Sequence, residues 1–477
     1  MSNQELIEYI QTQIAQSSNR LSGYTKDPKG LELYKRSVYL VLEKYVRDFL
    51  KGTITDPRIL IMPGLRGTGK TTLLAQLFLN QLTSGAEKIY ISADEVVKRF
   101  DTGLWELLEH YEKIVGCRLE ELKQPLILFF DEIHYDRKWA SFLKSIYDRT
   151  KKVMVICTGS AALLLREQMN ADIARRAVFV DVHPVNFIEY LLLKEHKYPV
   201  KGLAEDLRSA LLLSTNSDDI FHSLKMYETK VNEYWKGIDT LEIQRYVKLG
   251  TFPFTIHFAN ETLALDYIGQ MLSKVAYTDI PQFSPFDYET LKKIDKILYL
   301  LSFSVGTSVA SLSDTIETKA NQVHNLLDAL VKAGILNRVL PYGGHFKQVK
   351  KPSKYLFATP ALRYYFLSSR DSVGVFQNYQ GYLFEDIVAM YFNRVLEKFG
   401  GSSLTYDVAE GGADFIVTRV ERKTVWEVGV GEKNKKQVIQ TMGKVDGDVG
   451  VLLHSGDLAL DKENNIVSVP WKWFLLM

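Results

Sequence analysis

The sequence predicts an α/β protein whose N-terminal part is a parallel sheet with helices on both faces. Three observations predict it. Short apolar runs, Ile59–Met62, Lys88–Ile91, Leu126–Phe130 and Val153–Cys157, alternate with helical patterns. A glycine-rich turn, Gly64–Gly69, joins the first run to the amphipathic stretch Thr71–Leu82, which reads as strand, loop, helix. The third run delivers two acids, Asp131 and Glu132, at its C-terminal end.

Taken in order, residues 1–50 read as a helical extension, with Tyr39, Leu40, Leu42, Tyr45, Val46 and Leu50 at helical spacing. Residues 51–190 hold the sheet, closed by a further apolar run, Ala177–Val182. Residues 191–283 read as a helical lid or linker, broken most clearly at Gly250-Thr251-Phe252-Pro253. Residues 284–370 carry three helices, Tyr288–Ser304, Ser308–Thr318 and Asn321–Ala333, the last stopped by Gly334. Two strands follow, Ile335–Leu340 and Lys354–Ala358, joined by Pro341-Tyr342-Gly343-Gly344 and a lysine-rich stretch, which is the order of a winged helix. Residues 371–477 read as a small α/β domain: a helix, Tyr382–Phe399, and strands around Ser403–Tyr406, Phe415–Thr418, Val425–Val428 and Gly450–Leu453.

Bulk properties narrow the class. A chain of 477 residues, 46% of them apolar, fits two to four domains. The start Met1-Ser2-Asn3-Gln4-Glu5 has neither the basic opening nor the apolar run of a secretory signal, and no apolar stretch approaches the ~18 residues of a membrane span, so no membrane association and a cytoplasmic location are expected. Cys117 and Cys157 alone exclude a disulfide framework or a four-cysteine zinc site. A net charge of +2 argues against a basic nucleic-acid coat, although a local patch can still bind phosphates.

Gly64-Leu65-Arg66-Gly67-Thr68-Gly69-Lys70-Thr71 fits the phosphate-loop pattern G-x-x-x-x-G-K-[ST]. Its glycines let backbone N–H groups curl around nucleotide phosphates. Lys70 is expected on the β- and γ-phosphates, Thr71 on magnesium, and the helix beginning at Thr71 and Thr72 turns its dipole to the anion. The run ending in Asp131-Glu132 is its Walker B partner: Asp131 holds magnesium through water, and Glu132 polarises the attacking water. Thr158 or Ser160, after the fourth run, is a candidate γ-phosphate sensor; the plainer reading is a cap for a helix from Ala161. Arg175 and Arg176 are candidates for neutralising transition-state charge, in their own subunit or a neighbour, with a solvated basic face as the alternative and Arg66 as a rival.

With those motifs the chain resembles the AAA-related ATPases known as the archaeal ATPase family, which also occur in bacteria and carry a C-terminal domain of unknown function. The resemblance rests on Gly64–Leu74, on Phe130-Asp131-Glu132-Ile133-His134 with Trp139, and on Cys157-Thr158-Gly159-Ser160. It extends to Arg176 with Val182–Tyr190, to Gly250-Thr251-Phe252-Pro253, and to Thr278-Asp279-Ile280. His134 departs from the glutamine common there. The resemblance implies ATP and magnesium as ligands, and the choice of adenine rests mainly on it, there being no Asn-Lys-x-Asp guanine signature. It also implies a restriction-endonuclease-like, PD-(D/E)XK fold for the last domain, with Glu385, Asp414 and Glu427 at the three acidic positions. The lysine of that motif is missing: Glu427-Val428-Gly429 stands where Glu-x-Lys is expected, and Lys433, Lys435 or Lys436 are the substitutes nearest in sequence. A degenerate fold used for binding is therefore expected over an active nuclease.

The winged-helix segment would set Asn321 and Gln322 against base edges of double-stranded DNA and Lys347, Lys350, Lys351 and Lys354 against phosphates, although such modules also dock proteins. The combined expectation is a magnesium-dependent ATPase switch coupled to DNA or to a protein partner. A nucleotide-gated binding module with negligible turnover and an ATP-regulated nuclease are the alternatives. The subunit number is not legible in the sequence.

Overall fold

The computed structural model describes residues 3–53, 56–83, 85–160, 165–167, 175–304, 308–369, 374–396, 399–431 and 435–477. They form two compact units. One comprises Met1–His183, Tyr277–Pro285 and Lys332–Gly334; the other comprises Pro184–Ala276, Phe286–Val331 and Ile335–Met477.

The first unit contains a five-stranded sheet, β1 (Ile59–Pro63), β2 (Glu87–Ser92), β3 (Leu126–Asp131), β4 (Val153–Gly159) and β5 (Ala177–Phe179), in the order β2-β3-β4-β1-β5. Every pairing is parallel. Alternate residues of a strand point to opposite faces, and both faces are apolar. Ile59, Ile61, Leu126, Leu128, Val153 and Val155 pack with α1 (Asn3–Ser22), α5 (Leu104–Val115) and α6 (Trp139–Arg149). Leu60, Met62, Ile127, Phe129, Met154 and Ile156 pack with α2 (Ser37–Leu50) and α3 (Lys70–Phe78). Between β2 and α5 lies α4 (Ala93–Phe100). The doubly covered parallel sheet expected from the sequence is present.

Local details differ. Residues 1–50 are two helices rather than one helical stretch, because Asp27-Pro28-Lys29-Gly30 makes a turn in which the Asp27 carboxylate accepts from the Lys29 and Leu31 amides at 2.9 and 2.8 Å. The returning segment brings Arg36 against the phosphate loop. β5 ends at Phe179, although the Val180 and Val182 amides still donate to Ile61 and Pro63.

The second unit holds an eight-stranded sheet. It comprises β6 (Leu336–Pro341), β7 (Lys354–Phe357), β8 (Ser402–Tyr406), β9 (Phe415–Arg419), β10 (Arg422–Val428), β11 (Val449–His454), β12 (Ala459–Asp461) and β13 (Ile466–Pro470), in the order β12-β13-β11-β10-β9-β8-β6-β7. Leu340 and Pro341 of β6 pair with Thr405 and Tyr406 of β8, so the two-stranded piece and the C-terminal strands share one sheet. Its core is built around the helix Val375–Leu396. The helix expected over Tyr288–Ser304 is two, Tyr288–Leu291 and Lys293–Ser302, and the lysine-rich connection between β6 and β7 contains a short helix, His345–Lys350. Among the described residues two π turns occur, Tyr246–Gly250 and Val275–Asp279. Among the described residues no helix is long and apolar enough to cross a membrane.

Candidate nucleotide site

β1 ends at Pro63 and α3 begins at Lys70, so the phosphate loop occupies the C-terminal edge of the sheet. Its glycines are required by geometry. A Cβ at Gly64 would stand 2.4 Å from the Val182 carbonyl, and Gly69 caps α3 at φ +88°. The Lys70 ammonium donates to the Gly64 and Leu65 carbonyls at 2.9 and 3.2 Å. Burial lowers its affinity for the proton, while Glu132 and Asp131 work the other way. The Arg36 guanidinium, which the sequence reading overlooked, clamps the loop by donating to the Thr68 carbonyl at 2.6 Å and the His183 carbonyl at 2.8 Å. A lone arginine ahead of α2 gives no sequence signal of that role.

The parallel order brings β3 and β4 beside the loop. The Thr71 hydroxyl donates to Asp131 at 2.8 Å, and Tyr90 donates to the same oxygen at 3.2 Å. Thr158 donates to the other Asp131 oxygen and accepts the Glu132 amide at 2.8 Å. Ser160 donates to Glu132 at 2.8 Å, and His134 Nδ1 lies 3.4 Å from the same carboxylate. Both sensor candidates, Thr158 within β4 and Ser160 just after it, thus meet the acidic pair, one on each acid. Burial and the neighbouring Glu132 push the Asp131 carboxyl above the usual range, against the hydroxyls of Thr158 and Thr71. Burial would raise Glu132 too, but Lys70, His134, Arg66 and the Ser160 hydroxyl hold it below the ordinary value. Glu132 is a non-glycine residue at φ 51°, ψ 48°, a left-handed conformation that costs on the order of 1 kcal/mol and turns its side chain out of the strand. Thr71 and Asp131 offer the adjacent oxygens that a hard divalent cation takes, so the donor set fits magnesium.

Arg175 and Arg176 are not brought to this site. Ala177 pairs with Ile59 at the start of β1, so both arginines lie at the N-terminal edge of the sheet, opposite the loop that follows Pro63. Arg176 pairs with Asp148 at 3.0 Å and stacks on Tyr147, while Arg175 is exposed. Neither reaches the phosphate loop of its own chain.

In the second unit, Glu385, Asp414 and Glu427 do converge, with a lysine among them. Lys354 of β7, expected on a solvent-facing wing, is instead buried, 2.5 Å from Glu385 and 3.3 Å from Asp414. The antiparallel β6–β7 pair carries it inward. Glu427 accepts the Asp414 amide at 3.3 Å, and Asp414 accepts the Val428 amide at 3.0 Å. Of the substitutes considered from sequence, Lys435 pairs with Asp461 at 2.8 Å, Lys436 begins the helix Lys436–Val445, and Lys433 lies outside the described residues. Asn321, Gln322, Lys347, Lys350 and Lys351 are all exposed, and Phe346 and Val349 beside those lysines are each 85% exposed. Among the described residues no group of three or more His, Cys, Asp or Glu side chains is arranged to hold a metal ion.

Comparison with known proteins places this geometry. Residues 56–191 match the family model described as an AAA domain, and residues 240–372 match a domain of unknown function, DUF8612. The uncharacterized protein MJ1637 of Methanocaldococcus jannaschii is 35% identical over 478 residues, spanning 99% of this chain and 94% of that one. The chain belongs to the MJ1637 family. A second M. jannaschii protein, the uncharacterized MJ1544, is 22% identical over 53% of this chain and 47% of its own length. Among solved structures, the Thermotoga maritima RuvB Holliday junction branch migration motor aligns at 15% identity over 64% of this chain and 90% of its own, with a TM-score of 0.26; AMPPCP-bound DnaA from Aquifex aeolicus aligns at 17% identity over 64% and 92%, with a TM-score of 0.28. In this MJ1637-family protein the AAA-type P-loop ATPase domain contains the phosphate loop, Asp131, Glu132, Thr158 and Ser160, while Glu385, Asp414 and Glu427 lie beyond both matched regions.

Proposed function

We propose that this protein is a magnesium-dependent ATPase. The observation that carries the reading is the meeting of Thr71, Asp131, Glu132 and Thr158 beside a loop whose lysine is held only by backbone carbonyls. A lysine in that position exchanges two neutral acceptors for phosphate oxygens without breaking an ion pair. Thr71 and Asp131 would hold magnesium, which neutralises charge on the β- and γ-phosphates. Glu132, kept ionised by its neighbours, orients a water and takes its proton as the water oxygen adds to the γ-phosphorus. The bond from that phosphorus to the bridging oxygen breaks, its electron pair leaves on ADP, and the proton passes to the released phosphate.

For the effector, a basic face favours double-stranded DNA. Lys347, Lys350 and Lys351 stand together without an acidic residue between Leu336 and Phe357, and Asn321 and Gln322 expose donors and acceptors on a nearby stretch of chain. Phe346 and Val349 equally suit a protein partner, which is the second reading. The cluster around Lys354 we read as a structural ion cluster, because the ammonium already neutralises the acids a catalytic metal would need. DNA cutting by the magnesium-loaded protein, lost in Asp414→Ala, would overturn that reading.

The decisive experiment is phosphate release from ATP with magnesium, with and without double-stranded DNA, using Lys70→Ala as the blank. Turnover lost in the variant and raised by DNA supports a DNA-coupled ATPase. Turnover lost but indifferent to DNA points to a protein effector. Tight ATP binding without turnover points to a nucleotide-gated binding module.

A further inference from the structure

Arg66 lies inside the phosphate loop, four residues before Lys70, and its contacts are unusual for a surface arginine. Its NH1 donates to both Asp279 oxygens, at 3.1 and 2.9 Å. Asp279 also accepts the Tyr135 hydroxyl at 3.0 Å and is 3% exposed. Tyr135 closes the single turn Ile133–Tyr135 that follows Glu132. One buried carboxylate therefore ties the phosphate loop to the end of the Walker B segment. Asp279 is the last residue of the π turn Val275–Asp279, a helix distortion found frequently at functional sites.

Two features argue that this is more than a brace. A guanidinium carries five N–H donors, and the bonds to Asp279 use one terminal nitrogen. Nε and the second terminal nitrogen donate to no described residue, which leaves a fork suited to two oxygens of a phosphate. Arg66 also lies within electrostatic reach of Glu132 as well as Asp279, and Lys70 in turn feels both Arg66 and Asp279. The cation stands among the groups that would surround a γ-phosphate. Arg176, the sequence candidate for this work, is at the other edge of the sheet.

We propose that Arg66 is a catalytic residue that contacts the γ-phosphate from within the same subunit, and that Asp279, braced by Tyr135, is its positioning residue. This rests on the reading of the site as an ATPase. Asp279 holds one side of the guanidinium, so the other side meets the phosphate already oriented, and little rotamer freedom is lost when negative charge builds on the equatorial oxygens.

The test uses the full chain. Arg66→Ala is expected to lower kcat by about 10²-fold or more. It should also weaken ATP binding by about tenfold while leaving ADP binding within about twofold, since only the γ-phosphate contact is lost. Asp279→Asn should move the same quantities in the same direction but less. The charge-exchanged protein, Arg66→Asp with Asp279→Arg, rebuilds the ion pair: it should recover the thermal midpoint lost in either single variant and still lack turnover and the preference for ATP over ADP. Recovery of turnover in the exchanged protein would make the pair a brace and overturn the proposal, as would equal loss of ATP and ADP binding in Arg66→Ala. The nucleotide-preference measurement needs no turnover, so it decides the role of Arg66 even if the wild-type protein fails to hydrolyse ATP, which is the separate failure read against Lys70→Ala.

Discussion

Two regions of this protein set carboxylates around one lysine, and the partner each lysine has taken distinguishes them. At the phosphate loop, Lys70 donates to two carbonyls, while Asp131 and Glu132 accept from the hydroxyls of Thr71, Thr158 and Ser160. In the second unit, Lys354 sits directly on Glu385 and Asp414. Both lysines are buried, but they answer burial differently. Burial wins over the carboxylates at Lys70 and weakens its hold on the proton; at Lys354 burial works the same way, and the adjacent carboxylates outweigh it, keeping the ammonium well above the ordinary lysine range. The first arrangement keeps positive and negative charge apart, ready for an anion and a cation to arrive. The second has already cancelled its charge internally.

The largest effect that would break this comparison is catalytic. Glu132→Gln is expected to reduce phosphate release by about 10²- to 10⁴-fold while ATP binding persists, since the amide keeps the shape but cannot take the proton. Glu427→Gln, the corresponding change in the second cluster, should leave ATP turnover within about twofold. If the two variants behaved alike in a steady-state assay, the division of roles would be wrong.

Stability should invert that order. Lys354→Met leaves Glu385 and Asp414 buried without their cation, and loss of one partner from a buried ion pair costs about 3–5 kcal/mol. Lys70→Met removes an ammonium bound only to carbonyls and should change stability by no more than about 1 kcal/mol. Thermal unfolding of the two variants beside the wild type measures the difference. Adding Glu385→Gln to Lys354→Met should restore part of the loss.

A smaller, pH-dependent effect sharpens the same point. Burial and the neighbouring Asp414 push the Glu385 carboxyl from its ordinary 4.5 to about 7, against the pull of Lys354. Between those values the folded protein holds a proton that the unfolded chain has released, so stability is favoured below the ordinary value and falls as pH rises towards 7. Glu385→Gln should flatten that fall, gaining on the order of 2 kcal/mol on the wild type at pH 8 relative to pH 4.5. Unfolding midpoints at the two pH values check the sign.

The sequence was most readable where one local pattern fixes both fold and chemistry. Ile59–Met62 followed by Gly64–Thr71, and Leu126–Phe130 followed by Asp131-Glu132, state their strand, their loop and their edge of the sheet, because a parallel strand must end where its loop begins. The three acids of the second unit were singled out only through resemblance. What stayed hidden depends on long-range pairing. Lys354 looks like one more lysine of a basic loop, and only the antiparallel register of β6 with β7 turns it inward beside Glu385 of the later helix Val375–Leu396. Arg36 and Tyr135 likewise act through contacts with distant segments and carry no local signature, and Asp279, noticed within Thr278-Asp279-Ile280 through resemblance, shows in sequence no sign of its contact with Arg66.

Arg176 makes the smallest prediction and the one that separates register from motif. By sequence it stands where an arginine could serve the γ-phosphate; by register it stands at the far edge of β5, paired with the half-exposed Asp148 and stacked on Tyr147. A partly exposed pair of this kind contributes about 0–1 kcal/mol. Arg176→Ala should therefore cost at most about 1 kcal/mol and leave phosphate release within about twofold, provided the protein works within one subunit. If turnover instead fell by tenfold or more and the loss grew with protein concentration, Arg176 would be reaching a neighbour's nucleotide, and the edge of the sheet opposite the phosphate loop would be an assembly surface.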